Sequence, residues 1–319
     1  MADLYTNTVE MVEVGPRDGL QNEARLVSTS DKLGLIERAI SAGARRIEVA
    51  SFVNPRSVPQ MADAEAVCAA LPARPMLPGL DDVTYIGLVM NLRGAERALA
   101  TGRIDQLGAV AVASDGLGIA NQGQTSAQSV AMARQIIAVA HAAGRTAQVT
   151  IAASFGCPFD GEVAPDRVVA MVRELAQAQP IEIGLADTIG VADPASVARL
   201  VARVRQAIAP LPVRVHFHNT RGTGLANVWA AIQAGASVID ASLGGLGGCP
   251  FSPGAAGNVA TEDVAYMLER AGIATGLDLA ALIEANHWLA GIIGKELPAM
   301  VAKARPFPPT RPAERAVAQ

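Results

Sequence analysis

Basic residues are not in excess in this 319-residue chain: 26 Lys and Arg stand against 30 Asp and Glu, a formal net charge of -4. A nucleic-acid footprint or a surface drawn to anionic lipid needs a basic patch, so no nucleic-acid partner and no membrane partner are expected. Aromatic residues make up only 3%, which removes the platforms on which unpaired bases stack. Cysteine is scarce and odd in number (Cys68, Cys157 and Cys249), with no C-x-x-C pair. That excludes a disulfide framework or a structural zinc site and fits a reducing compartment. No uninterrupted apolar run reaches the roughly 18 residues of a membrane span. The stretch around Ile136 and Ile137 is broken by Arg134, Gln135 and His141. Met1–Tyr5 carries no basic segment leading into an apolar one, and the chain ends Val317-Ala318-Gln319 rather than in a peroxisomal tripeptide. Cytoplasmic residence is the expectation.

What the chain does have is apolar residues, 50% of the total, and an alternation of short β-rich runs with longer helical patterns. Strands are expected near 8–14, 46–51, 84–90, 107–113, 147–152, 181–186, 213–218 and 237–243. Helices are expected near 30–43, 57–71, 93–101, 125–144, 165–178, 194–209, 223–235 and 261–271. Ser28-Thr29-Ser30-Asp31 and Asp193-Pro194 open helices, while Gly43, Gly144, Gly235 and Gly272 stand where helices stop. The strands are short apolar runs, as suits parallel strands covered on both faces. Eight strand–helix repeats predict a closed (β/α)₈ TIM barrel over 1–275. A C-terminal extension of the same domain follows over 276–319, with a helix at Leu279–Ile293 and a loosely ordered tail at Pro306-Phe307-Pro308-Pro309. An open doubly wound sheet would favour G-x-G-x-x-G after the first strand, and Gly15-Pro16-Arg17-Asp18-Gly19 is not that fingerprint.

In such barrels the working residues sit at the C-terminal ends of the strands. Those positions here hold Arg17, Asp18 and Gln21, then Glu48 and Ser51, then Asp187-Thr188, then His216-Phe217-His218-Asn219. Last comes a glycine-rich loop, 244–248, leading to Cys249 and Asn258. His216 and His218, two apart on a strand, share a face. They are either hydrogen-bonded core histidines or two imidazoles converging on one ion. Barrel closure sets the last strand beside the first, making Asp18 a neighbour of His216. With Asn258 the set is one carboxylate, two imidazoles and one amide, which prefers Mg²⁺ or Mn²⁺; zinc stays open because Cys249 can approach. Arg17 is either half of a surface ion pair with Asp18 or a fixed guanidinium facing a developing negative charge. Glu48 is costly inside a barrel unless paired, with Arg17 the partner. Asp187 serves either structural hydrogen bonding or the chemistry directly. The glycine loop can cradle a phosphate or form a lid that carries a thiol, and Cys249 is otherwise a buried structural residue. Cys68 and Cys157 read as structural.

Gly15-Pro16-Arg17-Asp18-Gly19-Leu20-Gln21-Asn22-Glu23 and Gly244-Gly245-Leu246-Gly247-Gly248-Cys249-Pro250 together resemble the hydroxymethylglutaryl-CoA lyase family. The similarity takes in Ser51-Phe52-Val53, Gly156-Cys157-Pro158, Asp187-Thr188-Ile189-Gly190 and Gly257–Asp263, and covers about residues 9–300 in order. The wider group includes the homocitrate and isopropylmalate synthases. The resemblance implies a TIM barrel, a Mg²⁺ or Mn²⁺ ion, an acyl-CoA substrate that brings coenzyme A as part of itself, a retro-Claisen cleavage and a homodimer. By matching motif it implies metal ligands at Asp18, His216, His218 and Asn258, and an enolate-stabilising Arg17. Glu48 falls on a supporting carboxylate and Cys249 on the loop cysteine of proton transfer. Ser51, Asn121 and Thr188 fall near the acyl group. His216 is the candidate base, with Asp18 its rival, and Cys249 the candidate acid.

The departures cluster at the acyl end. Asn219-Thr220-Arg221-Gly222 stands where Asp-Thr-Tyr-Gly is usual, Ser114–Gly118 replaces an acidic and lysine-bearing segment, and Gly184 replaces a common serine. The expected reaction is therefore cleavage of 3-hydroxy-3-methylglutaryl-CoA to acetyl-CoA and acetoacetate. The alternatives are the same cleavage of citramalyl-CoA or of a longer 3-hydroxy-3-carboxymethyl acyl-CoA, a condensing synthase, or a non-catalytic metal- or CoA-binding scaffold.

Overall fold

The computed structural model describes residues 7–72, 83–248, 257–305 and 307. Eight parallel strands follow one another around a closed ring: β1 (Glu10–Glu13), β2 (Arg46–Ser51), β3 (Thr84–Leu88), β4 (Gln106–Val112), β5 (Thr146–Ala152), β6 (Ile183–Asp187), β7 (Val213–Phe217) and β8 (Val238–Ala241). β8 pairs with β1 through Glu10–Val238 to Glu13–Ala241 and closes the barrel. Around it run α1 (Thr29–Ser41), α2 (Ala64–Ala70), α3 (Leu92–Ala100), α4 (Asp115–Gln122), α5 (Ser126–Ala142), α6 (Pro165–Ala176), α7 (Pro194–Ile208), α8 (Gly224–Gln233), α9 (Thr261–Arg270) and α10 (Leu279–Ile293). The expected (β/α)₈ barrel is the fold. Strands β2, β6 and β8 are buried along their whole length, and β6 and β8 accordingly read as apolar runs broken only by Asp187 and Asp240.

Helix starts follow their local chemistry. The Ser28 hydroxyl accepts from the Asp31 amide, and Thr125 with Gln128 and Asp193 with Ser196 form reciprocal capping pairs, each stabilising by about 1 kcal/mol. At Gly43, φ is +98° and an added Cβ would sit 2.3 Å from the Gly276 carbonyl oxygen, so only glycine lets α1 turn into β2 there. α10 packs on α1 and on the segment after β8 through Leu20, Leu35, Leu243, Leu282 and Leu289. Apart from Phe307, the proline-rich stretch expected to be loose lies outside the described residues. Cys68 is buried, and the buried Cys157 sulfur takes hydrogen bonds from the Ser114 hydroxyl and the Phe159 and Asp160 amides, a structural role as expected.

Three elements depart from the sequence expectation. The helix expected over 57–71 is a 3₁₀ turn at Pro59–Met61 followed by the shorter α2. α4 forms despite Gly116 and Gly118. Ser114 caps it, Asp160 accepts the Gly116 amide at 2.8 Å, and Gly118 packs where a Cβ would lie 2.5 Å from the Gln124 carbonyl oxygen. Between β1 and α1 the chain makes a π-helical turn, Gly15–Gly19, in which the amides of Arg17, Asp18 and Gly19 all point at the Val14 carbonyl.

The lower half of the barrel interior is charged rather than aliphatic. Arg46 donates to Glu182 at 2.8 and 3.0 Å, to Gln148 at 2.9 Å and to Glu10 at 3.0 Å. Arg214 contacts Glu182 at 2.8 Å through Nε, an ion pair without hydrogen-bond alignment, and donates to Asp240 and to the Thr150 hydroxyl.

Two more buried carboxylates clamp the segment after β8. Glu13 accepts the amides of Gly15 and Leu243 and the Thr261 hydroxyl, and Glu262 accepts the Gly244 amide and the Asn286 side chain. Burial, with the neighbouring Glu13 charge adding to it, pushes the Glu262 carboxyl up from 4.5 to about 8. A raised carboxyl stabilises the fold fully below its unfolded value and loses that contribution as pH rises through its folded value. Glu262→Gln removes the dependence. Between about pH 5 and pH 9 the unfolding free energy of the variant should gain on the parent by up to about 1.4 kcal/mol per pH unit. Urea unfolding at each pH checks this, and a difference that stays flat with pH contradicts it.

Candidate active site

The π-helical turn is what begins the site. Gathering three amides on one carbonyl winds the chain tightly at the C-terminal end of β1 and sets Arg17 and Asp18 side by side at the barrel mouth. The Arg17 guanidinium bonds Asp18 Oδ1 through Nη1 and Glu48 Oε1 through Nε. Glu48, on β2, is 3% exposed, so the carboxylate expected to need a partner has one in Arg17.

β7 supplies His216 and the residue after its end supplies His218. Their Nε2 atoms face one another at 3.2 Å, and His216 Nε2 lies 3.8 Å from Asp18 Oδ2. Asp18, His216 and His218 form the one cluster of His, Cys, Asp and Glu among the described residues whose ligand atoms converge as on a metal ion. Asn258 joins it. A bridge pairs its backbone with His218, and its Nδ2 donates to Asp18 Oδ2 at 2.7 Å and to the Leu246 carbonyl at 3.0 Å. Because that carbonyl only accepts, the amide orientation is fixed, leaving Oδ1 buried with no partner. An orphaned carbonyl-type oxygen beside two facing imidazole nitrogens and a carboxylate fits a divalent cation. The loop makes room for this: at Gly247, φ is +127° and a Cβ would meet Asn258 Nδ2 at 2.4 Å.

Electrostatics set the protonation states such a cluster needs. Burial opposes ionisation of Asp18, but Arg17, His216 and His218 outweigh it and hold the carboxyl well below the usual range. Burial and the neighbouring His216 charge push His218 down to about 4, a neutral imidazole at pH 7. For His216 burial favours the neutral ring, yet the hydrogen bond to Asp240 and the Asp18 charge carry its pKa upward. Asp240 Oδ2 lies 3.2 Å from His216 Nδ1, placing the proton there and turning the Nε2 lone pair toward the cluster.

The cavity above these groups has a volume of about 170 Å³. Arg17, Asp18, Gln21, Glu48, Asn121, Thr188, His216 and His218 line it as expected. Thr188 also accepts the Ala153 amide at 2.8 Å. Two expected contacts do not reach it. Asp187 is fully buried, and its two oxygens accept the Val191 and Ala192 amides, fastening the loop after β6. Ser51 is likewise fully buried, behind the cavity wall. Two amides of the glycine loop are already taken, that of Gly244 by Glu262 and that of Gly245 by the Ser242 carbonyl. Cys249 lies outside the described residues. Sequence reasoning missed Asp240, Arg214 and Thr150, which also line the cavity. Their signal was a charged residue two positions before His216 on β7 and another on its neighbour β8. A larger groove of about 830 Å³ between α9, α10 and Phe307 brings no such converging cluster together.

The HMGL-like family model matches residues 8–289. The chain is a member of the HMGL-like family. It is 44% identical over 94% of its length to (R)-citramalyl-CoA lyase of Chloroflexus aurantiacus, 96% of which is covered. It is 39% identical to the 3-hydroxy-3-isohexenylglutaryl-CoA/hydroxymethylglutaryl-CoA lyase of Pseudomonas aeruginosa, over 93% of this chain and 96% of that one. The structure of an HMG-CoA lyase from Acinetobacter baumannii in complex with coenzyme A and 3-methylmalate superposes with a TM-score of 0.89 at 40% identity, covering 96% of this chain and 98% of that one. This HMGL-like protein is, like those relatives, a lyase.

His218→Ala should weaken divalent-cation binding at least tenfold while leaving the circular dichroism spectrum unchanged. Mn²⁺ titration followed by electron paramagnetic resonance reads this. Full affinity in the variant removes His218 from the ligand set.

Proposed function

We propose that this HMGL-like enzyme cleaves the C2–C3 bond of a 3-hydroxy-3-methyl acyl-CoA that carries a carboxylate at the far end of its acyl group. The observation that carries the reading is the convergence of Asp18, His216, His218 and Asn258 beside the Arg17–Glu48 pair at the mouth of a closed barrel. Those four residues would hold Mg²⁺ or Mn²⁺, which when bound would supply Lewis-acid polarisation of the tertiary hydroxyl. The chain's own groups do the rest.

His216 and Asp18 both stand where the hydroxyl proton must go. Either group passes it on to solvent: His216 through the Nε2 that its hydrogen bond to Asp240 leaves facing the cluster, or its rival Asp18 through a carboxylate that Arg17 keeps ionised. As the C2–C3 bond breaks, its electron pair moves onto the thioester, whose oxygen faces Arg17, already ordered by Glu48 and Asp18. Cys249 delivers a proton to C2, completing acetyl-CoA, while C3 becomes the ketone of the second product.

Two substrates of this class differ by one methylene. 3-Hydroxy-3-methylglutaryl-CoA gives acetyl-CoA and acetoacetate, and the 39% identical Pseudomonas relative supports it. Citramalyl-CoA gives acetyl-CoA and pyruvate, and is favoured by the 44% identical Chloroflexus relative together with the altered acyl-end residues.

With Mg²⁺ or Mn²⁺ present, the purified protein should release acetyl-CoA from at least one of the two thioesters, and silence on both ends the proposal. Arg17→Gln should lower kcat by about 10²–10³-fold with KM changed only a few-fold, since the guanidinium acts on charge that develops in the transition state.

A further inference from the structure

Below the ligand cluster the barrel is closed by Arg214. On β7 it lies two residues before His216 and so points to the same interior face, one layer nearer the N-terminal ends of the strands. Its side chain is 2% exposed yet lines the cavity, together with Thr150 and with Asp240, the register partner of His216. The guanidinium is pinned at three points: Nη1 on Asp240, Nη2 on the Thr150 hydroxyl at 2.6 Å, and Nε against Glu182 at 2.8 Å. Gly184 is its register partner on β6, and a Cβ there would lie 2.8 Å from Nη2 and 3.0 Å from Cζ. The fold thus gives up a side chain on β6 so that a full guanidinium can lie flat across the barrel.

We propose that Arg214, seated over Gly184 and tied to Thr150, is the floor that sets the length of the acyl end, selecting the shorter substrate, citramalyl-CoA. The inference rests on the lyase reading above and deepens it. The cavity is small, about 170 Å³, and in this reading it takes the acyl group while the CoA nucleotide lies outside the barrel mouth. The carbon to be cleaved stands at the Asp18–His216–His218 level, and whatever hangs from it away from the thioester enters the gap above Arg214. Two residues along a strand span about 6.6 Å, and the strand tilt of a barrel shortens this to roughly 5 Å along the axis. Arg214 therefore bounds the space beneath the reacting carbon within about one layer, and a methylene added to the acyl end must enter space that a guanidinium held by three partners already fills.

The test measures kcat/KM of the metal-loaded enzyme for citramalyl-CoA and for 3-hydroxy-3-methylglutaryl-CoA. Wild type should favour the shorter thioester by at least tenfold, within the roughly 10–200-fold that one methylene in a pocket commands. Arg214→Lys keeps a cation for Asp240 and Glu182 but withdraws the Nη2 end, and should cut that ratio at least tenfold by improving turnover of the longer thioester. Thr150→Ala, which leaves every charge in place, should shift the ratio in the same direction and covers the case in which Arg214→Lys does not fold. A purely structural role for Arg214 lowers both rates together and leaves the ratio alone. The proposal is overturned if wild type lacks the tenfold preference, or if folded variants keep the parental ratio. Absence of acetyl-CoA from both thioesters with wild type overturns the lyase reading itself, a distinct result.

Discussion

One carboxylate oxygen, Oδ2 of Asp240, is shared between the Arg214 guanidinium and His216 Nδ1. That shared acceptor is where the charged interior of the barrel meets the chemistry at its mouth. Because Asp240 is anchored from below by a cation, it stays ionised in spite of burial. Because it is ionised, it holds the proton of His216 on Nδ1 and leaves Nε2 bare toward His218 and Asp18. The direction of one imidazole at the rim is thus decided by an ion pair a layer beneath it. Such supporting partners matter to a site nearly as much as the ligands themselves.

The ladder continues downward. Arg214 meets Glu182, Glu182 meets Arg46, and Arg46 reaches Glu10, which is half exposed at the opposite end of the barrel. Alternating charges of this kind stabilise one another only while each has its partner; removing one member of a buried pair typically costs about 3–5 kcal/mol. Gln106 and Gln148 complete the layer as neutral partners for the remaining donors of Arg46. This interior is specified by complementarity rather than by the bulky aliphatic layers common in such barrels.

Much of this was legible in the sequence, and the exceptions have physical reasons. The strands were visible because parallel strands covered on both faces have nothing polar to interrupt them, as in Val238–Ala241 and Ile183–Asp187, apart from the functional positions. His216, His218 and Asp18 stood out because strand periodicity and barrel closure fix their relation without any side-chain detail. The π-helical turn did not, since it depends on one carbonyl, that of Val14, receiving three amides. Nor did α4, whose glycines argue against a helix until Asp160 and Gln124 are seen packed against them. Asp187 was ambiguous because a carboxylate at a strand end can serve a loop or a substrate equally well, and only the position of the Val191 and Ala192 amides decides. Arg214 and Asp240 were overlooked because a lone charge in an apolar run carries no sign of which way it will pair.

Coupling between the floor and the rim has a consequence for how such a site can change. Arg214 touches the cavity, holds Asp240 and occupies the space denied to a side chain at position 184. Replacing it with a small residue enlarges the pocket, but it also removes the cation that balances Asp240, leaves Glu182 to Arg46 alone, and loosens the hold of Asp240 on the proton of His216. Length selection, barrel stability and the tautomer of a ligating histidine therefore cannot be altered independently at this residue. A chain that keeps the chemistry while admitting a longer acyl end must withdraw the guanidinium from the cavity and still keep a donor for Asp240. The glycine on β6 and the arginine on β7 thus act as one unit in the proposed length selection, since a side chain at 184 would collide with the guanidinium.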